Sequence, residues 1–219
     1  EQGVITMEFP HLMQLVDNNQ FDTIYHEHFS YLSFYTVKQI FESQGLEMFD
    51  VQEIPTHGGS LRIYAKHKED KTKNISENVE SLLNKEKAKG INNLEYYKNF
   101  TQKALTVKMN LTEFLIQQKR AGKLVAAYGA AAKGNTLLNY CGIKKDMIDF
   151  VVDANPHKQN KFLPASHIPV VDEQYLKNKK PDFVIILPWN LKDELTTQLQ
   201  YIKAWGGRFV VPIPELEIF

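Results

Sequence analysis

The segment Tyr25-His26-Glu27-His28 is the densest group of titratable side chains in the sequence. Histidine titrates near neutral pH, so a small change in its surroundings suits it to act as a general base. A neighbouring carboxylate favours the protonated imidazole or fixes its tautomer. The segment therefore predicts acid–base chemistry, although a purely structural role for the two histidines explains the pattern as well. No further ligands stand at the spacing of a zinc site, so no metal is predicted here.

A second group of residues stands where a buried strand is predicted to pass into a helix: Tyr128-Gly129-Ala130-Ala131-Ala132-Lys133-Gly134-Asn135. Small residues let a ligand approach the backbone, and a helix start offers N–H donors to an anion. Lys133 adds a positive charge that suits a phosphate. The alanines after Gly129 depart from the dinucleotide fingerprint G-x-G-x-x-G, which disfavours a tightly held nicotinamide dinucleotide. The turn predicts a phosphate site; a turn kept small for packing is the alternative.

Other residues near the ends of predicted strands are candidates for the same ligand. Asp153 follows the second strand of this half, where an acid often accepts hydrogen bonds from a ribose hydroxyl. Capping a turn explains Asp153 nearly as well. Trp189 and Asn190 follow the third strand, at the edge where open α/β sheets bind ligands. The Trp189 ring either stacks on a base or sugar or belongs to the core.

A glycine-bearing turn in the first half contains His57, Gly58 and Ser60 between two predicted strands. Its glycines permit positive φ angles in a hairpin, which is sufficient to explain them. The functional interpretation makes this turn a rim of the substrate pocket. Both interpretations predict a tight connection between the strands.

The composition is that of an ordinary globular protein of 219 residues, with 43% hydrophobic and 24% charged residues. Lys+Arg and Asp+Glu balance at 26 each, which argues against binding driven by nucleic-acid phosphates or an anionic membrane. The single cysteine, Cys141, excludes an internal disulfide and favours a reduced, cytoplasmic protein. No apolar run approaches the roughly 20 residues that a membrane helix needs. The opening residues resemble a strand entered partway through a domain, so we expect a fragment.

The first half of the sequence predicts a strand at residues 4–9, a helix and a β-hairpin. The helix has Ser33 as its cap, Leu32 and Val37 as its hydrophobic staple, and Gly45 as its stop. Its buried face is predicted to consist of Phe34, Val37, Ile40 and Phe41. Residues 46–54 and 60–67 are predicted to pair as the hairpin. The polar residues from 68 onward, followed by an amphipathic pattern, predict a helical connector.

In the second half, apolar strands alternate with helices, which predicts a parallel sheet buried on both faces. The predicted strands are residues 123–128, 148–152, 182–187 and 208–211, with a short edge element at 169–171. The predicted helices include residues 135–140 and 191–201. The fold class is therefore α/β, with a carboxy-terminal Rossmann-like parallel-sheet domain.

The motifs, in this order, resemble the S-adenosylmethionine-dependent sugar C-methyltransferases, typified by enzymes that methylate C3 of dTDP-linked 4-keto-deoxysugars. The resemblance rests on residues 21–32, 57–62, 128–135, 153–169 and 187–190, and it covers essentially the whole chain. For that family it implies a zinc module, a central methyltransferase domain and a carboxy-terminal domain that holds a nucleotide-sugar. It further implies that Tyr25, Glu27 and His28 are catalytic, with His28 as the base, and that S-adenosylmethionine is the cofactor.

The sequence departs from the family's pattern, because it contains neither the cysteine-rich zinc module nor the acidic, glycine-rich strand–turn that cradles the cofactor. Residues 1–70 are therefore expected to be the tail of a methyltransferase domain, residues 71–122 a helical connector, and residues 123–219 the substrate domain. The expected partner is a nucleotide-linked keto-sugar, and the chain alone is expected to bind the cofactor poorly. A non-catalytic nucleotide-sugar-binding module is the alternative, and a nicotinamide-dependent oxidoreductase is disfavoured by the alanines after Gly129.

Overall fold

The computed structural model describes residues 2–219, which form two compact units. Unit 1 takes in the chain up to Gln20 together with His28–Thr101. Unit 2 takes in Phe21–Glu27 together with Gln102–Phe219. These units do not follow the predicted boundaries at residues 70 and 122, and the division of the chain into three parts stays a prediction.

Unit 1 is a three-stranded antiparallel sheet with helices. Its elements are β1 (Val4–Pro10), α1 (Leu12–Asp17), α2 (Phe34–Ser43), β2 (Leu46–Ile54), β3 (Ser60–His67) and α3 (Glu77–Lys89). The strand order is β1-β3-β2, and β3 is antiparallel to both neighbours. The predicted strand, helix and hairpin are confirmed, and the two hairpin strands have the predicted bounds.

Local signals determine where α2 begins and ends. The Ser33 side chain accepts a hydrogen bond from the Thr36 N–H at 3.1 Å, and Gly45 follows the helix with a φ of +74°. Phe34 and Val37 are buried, but Ile40 is 50% exposed. The predicted place of Ile40 on the buried face is wrong, because α2 packs on β2 and α3 along a narrower stripe.

Unit 2 is built on a six-stranded sheet. Its elements are α4 (Phe100–Arg120, whose first two residues belong to unit 1), β4 (Val125–Tyr128), α5 (Ala132–Cys141), β5 (Val151–Val152), β6 (Val170–Val171), α6 (Glu173–Lys179), β7 (Phe183–Ile186), α7 (Lys192–Gln198), β8 (Arg208–Val211) and β9 (Glu217–Ile218). The order is β6-β5-β4-β7-β8-β9, and only the pairing of β9 is antiparallel. The parallel sheet is confirmed; α6 and β9 were not predicted.

The connectivity of unit 2 determines where a ligand site is expected. The chain runs from β4 outward to β5 and β6, and then crosses back to β7 and β8 on the other side of β4. The strand order therefore reverses between β4 and β7. In open α/β sheets, ligands bind beyond the carboxyl ends of the strands at such a point. The loops that begin at Gly129 and Leu187 therefore lie at the edge where a ligand is expected.

Three further observations concern the chemistry that the described residues offer. None of the helices in residues 2–219 combines the length and apolarity needed to cross a bilayer. Within the same residues, no three His, Cys, Asp or Glu side chains are grouped to hold a metal ion. Cys141, at the end of α5, is buried, and burial raises the pKa of its thiol to about 12. It is therefore an unreactive thiol rather than a thiolate.

Candidate functional site

The turn between β4 and α5 has a backbone that only glycine fits. Gly129 has a φ of +96°, and its N–H donates to the Val152 carbonyl oxygen at 2.8 Å. A Cβ on Gly129 would lie 2.6 Å from Cδ of Pro188. The turn after β4 and the loop after β7 are therefore in direct contact, with no room for a side chain between them.

The Asp153 carboxylate closes two backbone turns. Its Oδ2 accepts the Ala130 N–H at 2.8 Å and lies 3.2 Å from Lys158 Nζ. Its Oδ1 accepts the Asn155 N–H at 2.9 Å. These bonds match the turn-capping interpretation of Asp153, and they tie the loop after β5 to the turn after β4. A contact between Asp153 and a ribose stays a prediction.

Lys133, the second residue of α5, is 9% exposed. Its ammonium donates to Asn190 Oδ1 at 2.9 Å and lies 4.6 Å from the centroid of the Trp189 ring. Burial lowers the pKa of Lys133, while the negative charge of Asp22 acts in the opposite direction. The structure thus brings together the three predicted residues Lys133, Trp189 and Asn190. The positive charge of Lys133 lies among these protein groups at the start of α5.

Asp22 is a member of this group that the sequence did not single out. It lies in the 3₁₀ turn Phe21–Thr23 of unit 2 and is fully buried. Its Oδ2 accepts the indole N–H of Trp189 at 2.8 Å, whereas its Oδ1 has no hydrogen-bond partner among the described residues. Burial raises the pKa of the Asp22 carboxyl to about 6, against the opposing effects of Trp189 and Lys133. A buried carboxylate with a displaced pKa is a candidate functional group.

Two other residues of the turn have packing roles. Gly134 stands at the third glycine of the dinucleotide fingerprint, so the departure from that pattern is confined to Ala131 at the second glycine. A Cβ on Gly134 would lie 2.8 Å from the Leu187 side chain, so this glycine lets α5 approach β7 closely. Tyr128 is buried in the core, and its hydroxyl accepts a hydrogen bond from Gln198 at 3.2 Å. Asn135 Oδ1 is buried without a partner in the part of the chain that the structure describes.

The predicted catalytic residues lie in a loop, not in a helix. Tyr25 and His28 are half-buried, and Glu27 is exposed. Tyr25 and Glu27 belong to unit 2 and His28 to unit 1. The catalytic roles of the three residues stay predictions.

The turn between β2 and β3 has three consecutive residues with positive φ. The angles are +55° at His57, +92° at Gly58 and +116° at Gly59. His57 is exposed, whereas Gly58 and Ser60 line a cleft of about 480 Å³ in unit 1. Gln20 Nε2 donates to the Gly58 carbonyl at 2.7 Å. The conformational requirement for these glycines is confirmed, and a substrate contact stays a prediction.

A buried carboxylate in unit 1 fixes the start of the helix that follows the His28 loop. Glu86 of α3 accepts the backbone N–H groups of Phe34 at 2.7 Å and Tyr35 at 2.8 Å. His11 Nε2 lies 2.7 Å from the same carboxylate. This contact could not be predicted from local sequence, because Glu86 stands more than 50 residues from these two donors.

Comparisons with known proteins address the family of the chain. Residues 55–214 match a family model described as the C-methyltransferase C-terminal domain. The chain is also 37% identical over 213 residues to the C-methyltransferase NovU of Streptomyces niveus. That alignment covers 97% of this chain and 50% of NovU. The chain therefore spans half the length of this curated relative.

Proposed function

We propose, on the premise that this chain belongs to the C-methyltransferase family, that the protein containing it methylates a nucleotide-linked sugar. The methyl group goes from S-adenosylmethionine to a carbon next to a ketone of that sugar. One observation carries the proposal beyond family membership. The segment Phe21–Glu27, which bears Tyr25 and Glu27, lies in the same compact unit as the parallel sheet. Within that unit, Asp22 is bonded to the loop after β7.

We place the nucleotide-sugar at the carboxyl edge of β4 and β7. The reversal of strand order and the exclusion of a side chain at Gly129 support this placement. The pyrophosphate would lie at residues 129–135, where the start of a ten-residue helix and Lys133 favour an anion. The ribose would lie near Asp153 and the base toward Trp189. Tyr128, Ala130, Asn135 and Asn190 complete the proposed substrate site in unit 2. A substrate role for His57, Gly58 and Ser60 of unit 1 stays a separate proposal from the sequence.

The proposed chemistry begins with the acidity of a C–H bond next to a ketone, whose removal leaves an enolate. His28 would accept the proton, and Glu27 would orient or stabilise the imidazole. Tyr25 would donate a hydrogen bond to the developing oxyanion. S-adenosylmethionine supplies the methyl group that the carbon then receives.

No residue of this chain is assigned to S-adenosylmethionine. The glycine-bearing turn of unit 1, Thr56–Gly59, joins two antiparallel strands and is not followed by a helix. It therefore does not offer the strand–turn–helix geometry that an adenosine cofactor uses. We propose that residues 1–219 by themselves neither bind this cofactor tightly nor transfer the methyl group. Calorimetric titration that gave a micromolar dissociation constant would contradict this expectation.

We also propose that unit 1 is the tail of a methyltransferase domain. β1 pairs only with β3 among the described residues. Its Val4, Ile5 and Met7 are 45%, 40% and 49% exposed, on both faces of the strand. An apolar strand with one open edge suits a position beside further strands of a longer sheet. The cytoplasmic location remains an expectation from the single cysteine.

The direct test is methyl transfer by the full-length protein and by its His28→Asn variant, with a nucleotide-linked keto-sugar as acceptor. A general base contributes roughly 10²–10⁴-fold, so we expect kcat to fall within that range. His26→Asn is the matched control, because His26 stands two residues away in the same loop and has no assigned role. Equal rates for wild type and His28→Asn would remove His28 from the mechanism.

A non-catalytic nucleotide-sugar-binding role is the second candidate for this chain. It is favoured by unit 2, which contains five parallel strands and the turn at Gly129 within residues 2–219. Nucleotide binding by a full-length protein that transferred no methyl group would select this second function.

A further inference from the structure

We propose that Asp22 is a positioning residue for the reaction. Through its hydrogen bond to the Trp189 indole, it holds the segment that carries Tyr25 and Glu27 against the sheet edge assigned to the nucleotide-sugar. The inference rests on the proposed function, and it assigns a role to Asp22, which lies in the motif of residues 21–32 but outside the predicted catalytic residues and the family match at residues 55–214.

The contacts of the Phe21–Thr23 turn are the first support. The Phe21 ring lies 5.0 Å from the ring of Tyr140 on α5, and the turn packs against that helix. Asp22 reaches the loop after β7, where Trp189 Nε1 is 2.8 Å from its Oδ2. Tyr25 follows only three residues later in the chain. The position of the Tyr25 segment is therefore set by the same groups that form the substrate edge.

The chemistry of Asp22 is the second support. A fully buried carboxylate with one oxygen unpartnered costs stability, and an apolar residue would fill this space at a lower cost. Asp22 also attracts the buried Lys133. One carboxylate thus acts on both sides of the strand-order reversal, through Lys133 on α5 and Trp189 after β7. Such costly buried groups concentrate at functional sites.

These contacts would connect the bound substrate to the segment that carries Tyr25 and Glu27. A phosphate at the start of α5 would act on Lys133, and a base or sugar would act on Trp189. Both residues interact with Asp22. Loss of Asp22 would leave these binding groups in place and release the segment with Tyr25 and Glu27. The turnover step is then affected more than binding.

The first experiment compares Asp22→Ala and Asp22→Asn in the full-length protein. Misplacing a reacting group by about 1 Å costs on the order of 10²-fold in rate, so Asp22→Ala should lower kcat by about that factor. KM for the nucleotide-sugar should stay within about threefold, because loss of a group needed only for turnover leaves substrate binding largely unchanged. Asp22→Asn should recover most of kcat, since its amide oxygen still accepts the indole N–H.

The partner of the hydrogen bond supplies a matched control. Trp189→Phe and Trp205→Phe each remove an indole N–H bond, of 2.8 Å to Asp22 and 3.0 Å to the Pro181 carbonyl. Both rings pack against the same core cluster. Only Trp189→Phe should lower kcat, and the double variant Asp22→Ala/Trp189→Phe should be no slower than Asp22→Ala. Additive losses, or equal losses for the two tryptophan variants, would overturn the proposal.

A readout without turnover separates this inference from the proposed function. In the 219-residue chain with Trp205→Phe, Trp189 is the remaining tryptophan, and its emission should change in Asp22→Ala but hardly in Asp22→Asn. Proteolysis of the loop around the exposed Phe29 should accelerate only in Asp22→Ala. If the wild type transferred no methyl group, the proposed function would fail while these signals still identified the Asp22 contact. Identical emission and cleavage in the Trp205→Phe chain with Asp22, with Asp22→Ala and with Asp22→Asn would refute the positioning role itself.

Discussion

Two buried carboxylates, Glu86 in unit 1 and Asp22 in unit 2, anchor opposite ends of the loop with the predicted catalytic residues. Glu86 is 1% exposed and receives two backbone N–H groups at the start of α2, as well as His11. Asp22 is 0% exposed and receives the indole of Trp189, while its Oδ1 lacks a partner among the described residues. Equal burial therefore accompanies very unequal hydrogen bonding.

The difference separates a structural anchor from a functional one. A carboxylate at a helix N-terminus with all its donors in place is stabilised by them and by the helix dipole. A buried carboxylate with an unpartnered oxygen destabilises the fold, and burial raises its pKa. Glu86 has the hydrogen bonds of a stability element, whereas Asp22 has the energetics of a residue kept for what it positions.

The largest effect is expected for Glu86→Ala. It leaves His11 and two backbone N–H groups of α2 without their acceptor, so the free energy of unfolding should fall by about 3–5 kcal/mol. Urea unfolding followed by circular dichroism measures this loss. Both tryptophans, Trp189 and Trp205, lie in unit 2, so tryptophan emission serves as an internal control for that unit. A change below about 1 kcal/mol would remove the distinction between the two anchors.

Asp22 is expected to make the free energy of unfolding depend on pH. Its pKa is raised from 3.8 to about 6, so its contribution to stability is present below 3.8 and is lost as pH rises through 6. About two pH units correspond to about 3 kcal/mol at 1.36 kcal/mol each. Relative to Asp22→Asn, the wild type should lose about that much unfolding free energy between pH 3.5 and 7, as reported by tryptophan emission. Parallel pH profiles for the two proteins would contradict the raised pKa.

Two glycines of unit 2 sharpen the comparison between functional and structural positions. Gly129 and Gly142 both have positive φ, but only at Gly129 does an added Cβ meet a neighbour, the Pro188 ring at 2.6 Å. Gly142→Ala should lower the free energy of unfolding by about 1–2 kcal/mol, because alanine is strained at this positive φ. Gly129→Ala should lower the free energy of unfolding by about 1–3 kcal/mol more, because its Cβ would clash with Pro188. It should also abolish the binding of dTDP or UDP, measured by calorimetry. Unaltered nucleotide binding by Gly129→Ala would place the ligand elsewhere.

The smallest effect is expected for the exposed carboxylate of Glu53, which serves as the reference for the two buried carboxylates. Glu53 in unit 1 pairs with Lys85 at 2.7 Å, but both side chains are nearly half exposed. Glu53→Gln should change the unfolding free energy by no more than about 0.5 kcal/mol, because exposed ion pairs contribute little. Thermal unfolding of this variant beside Glu86→Ala measures the difference that burial makes. A loss comparable to that of Glu86→Ala would undermine the argument from burial.

The sequence predicted those parts of the fold that depend on neighbouring residues. Ser33 and Gly45 marked the ends of α2, and the bounds of β2 and β3 followed from apolar runs on either side of a glycine turn. α6 has an equally local signal that was overlooked, since Asp172 caps it by accepting the Tyr175 N–H at 2.8 Å. β9 is two residues long and pairs antiparallel at the sheet edge, which is too short for a periodic pattern.

The candidate site was predictable only in part, because its decisive contacts join distant residues. The order of strands and turns indicated that Gly129, Lys133, Trp189 and Asn190 would meet at one edge. Nothing local connects Asp22 with Trp189, 167 residues away. Nor did the sequence show that Lys133 would donate to Asn190 rather than extend into solvent.

Solvent hydrogen exchange at the carbon next to the ketone tests the central claim most directly. Full-length wild-type protein in D₂O, given a nucleotide-linked keto-sugar, should introduce deuterium at that carbon, and His28→Asn should slow the exchange by roughly 10²–10⁴-fold. His26→Asn should exchange at the wild-type rate. Deuterium incorporation at the same rate in wild type and His28→Asn would contradict proton removal by this loop, and with it the proposed mechanism.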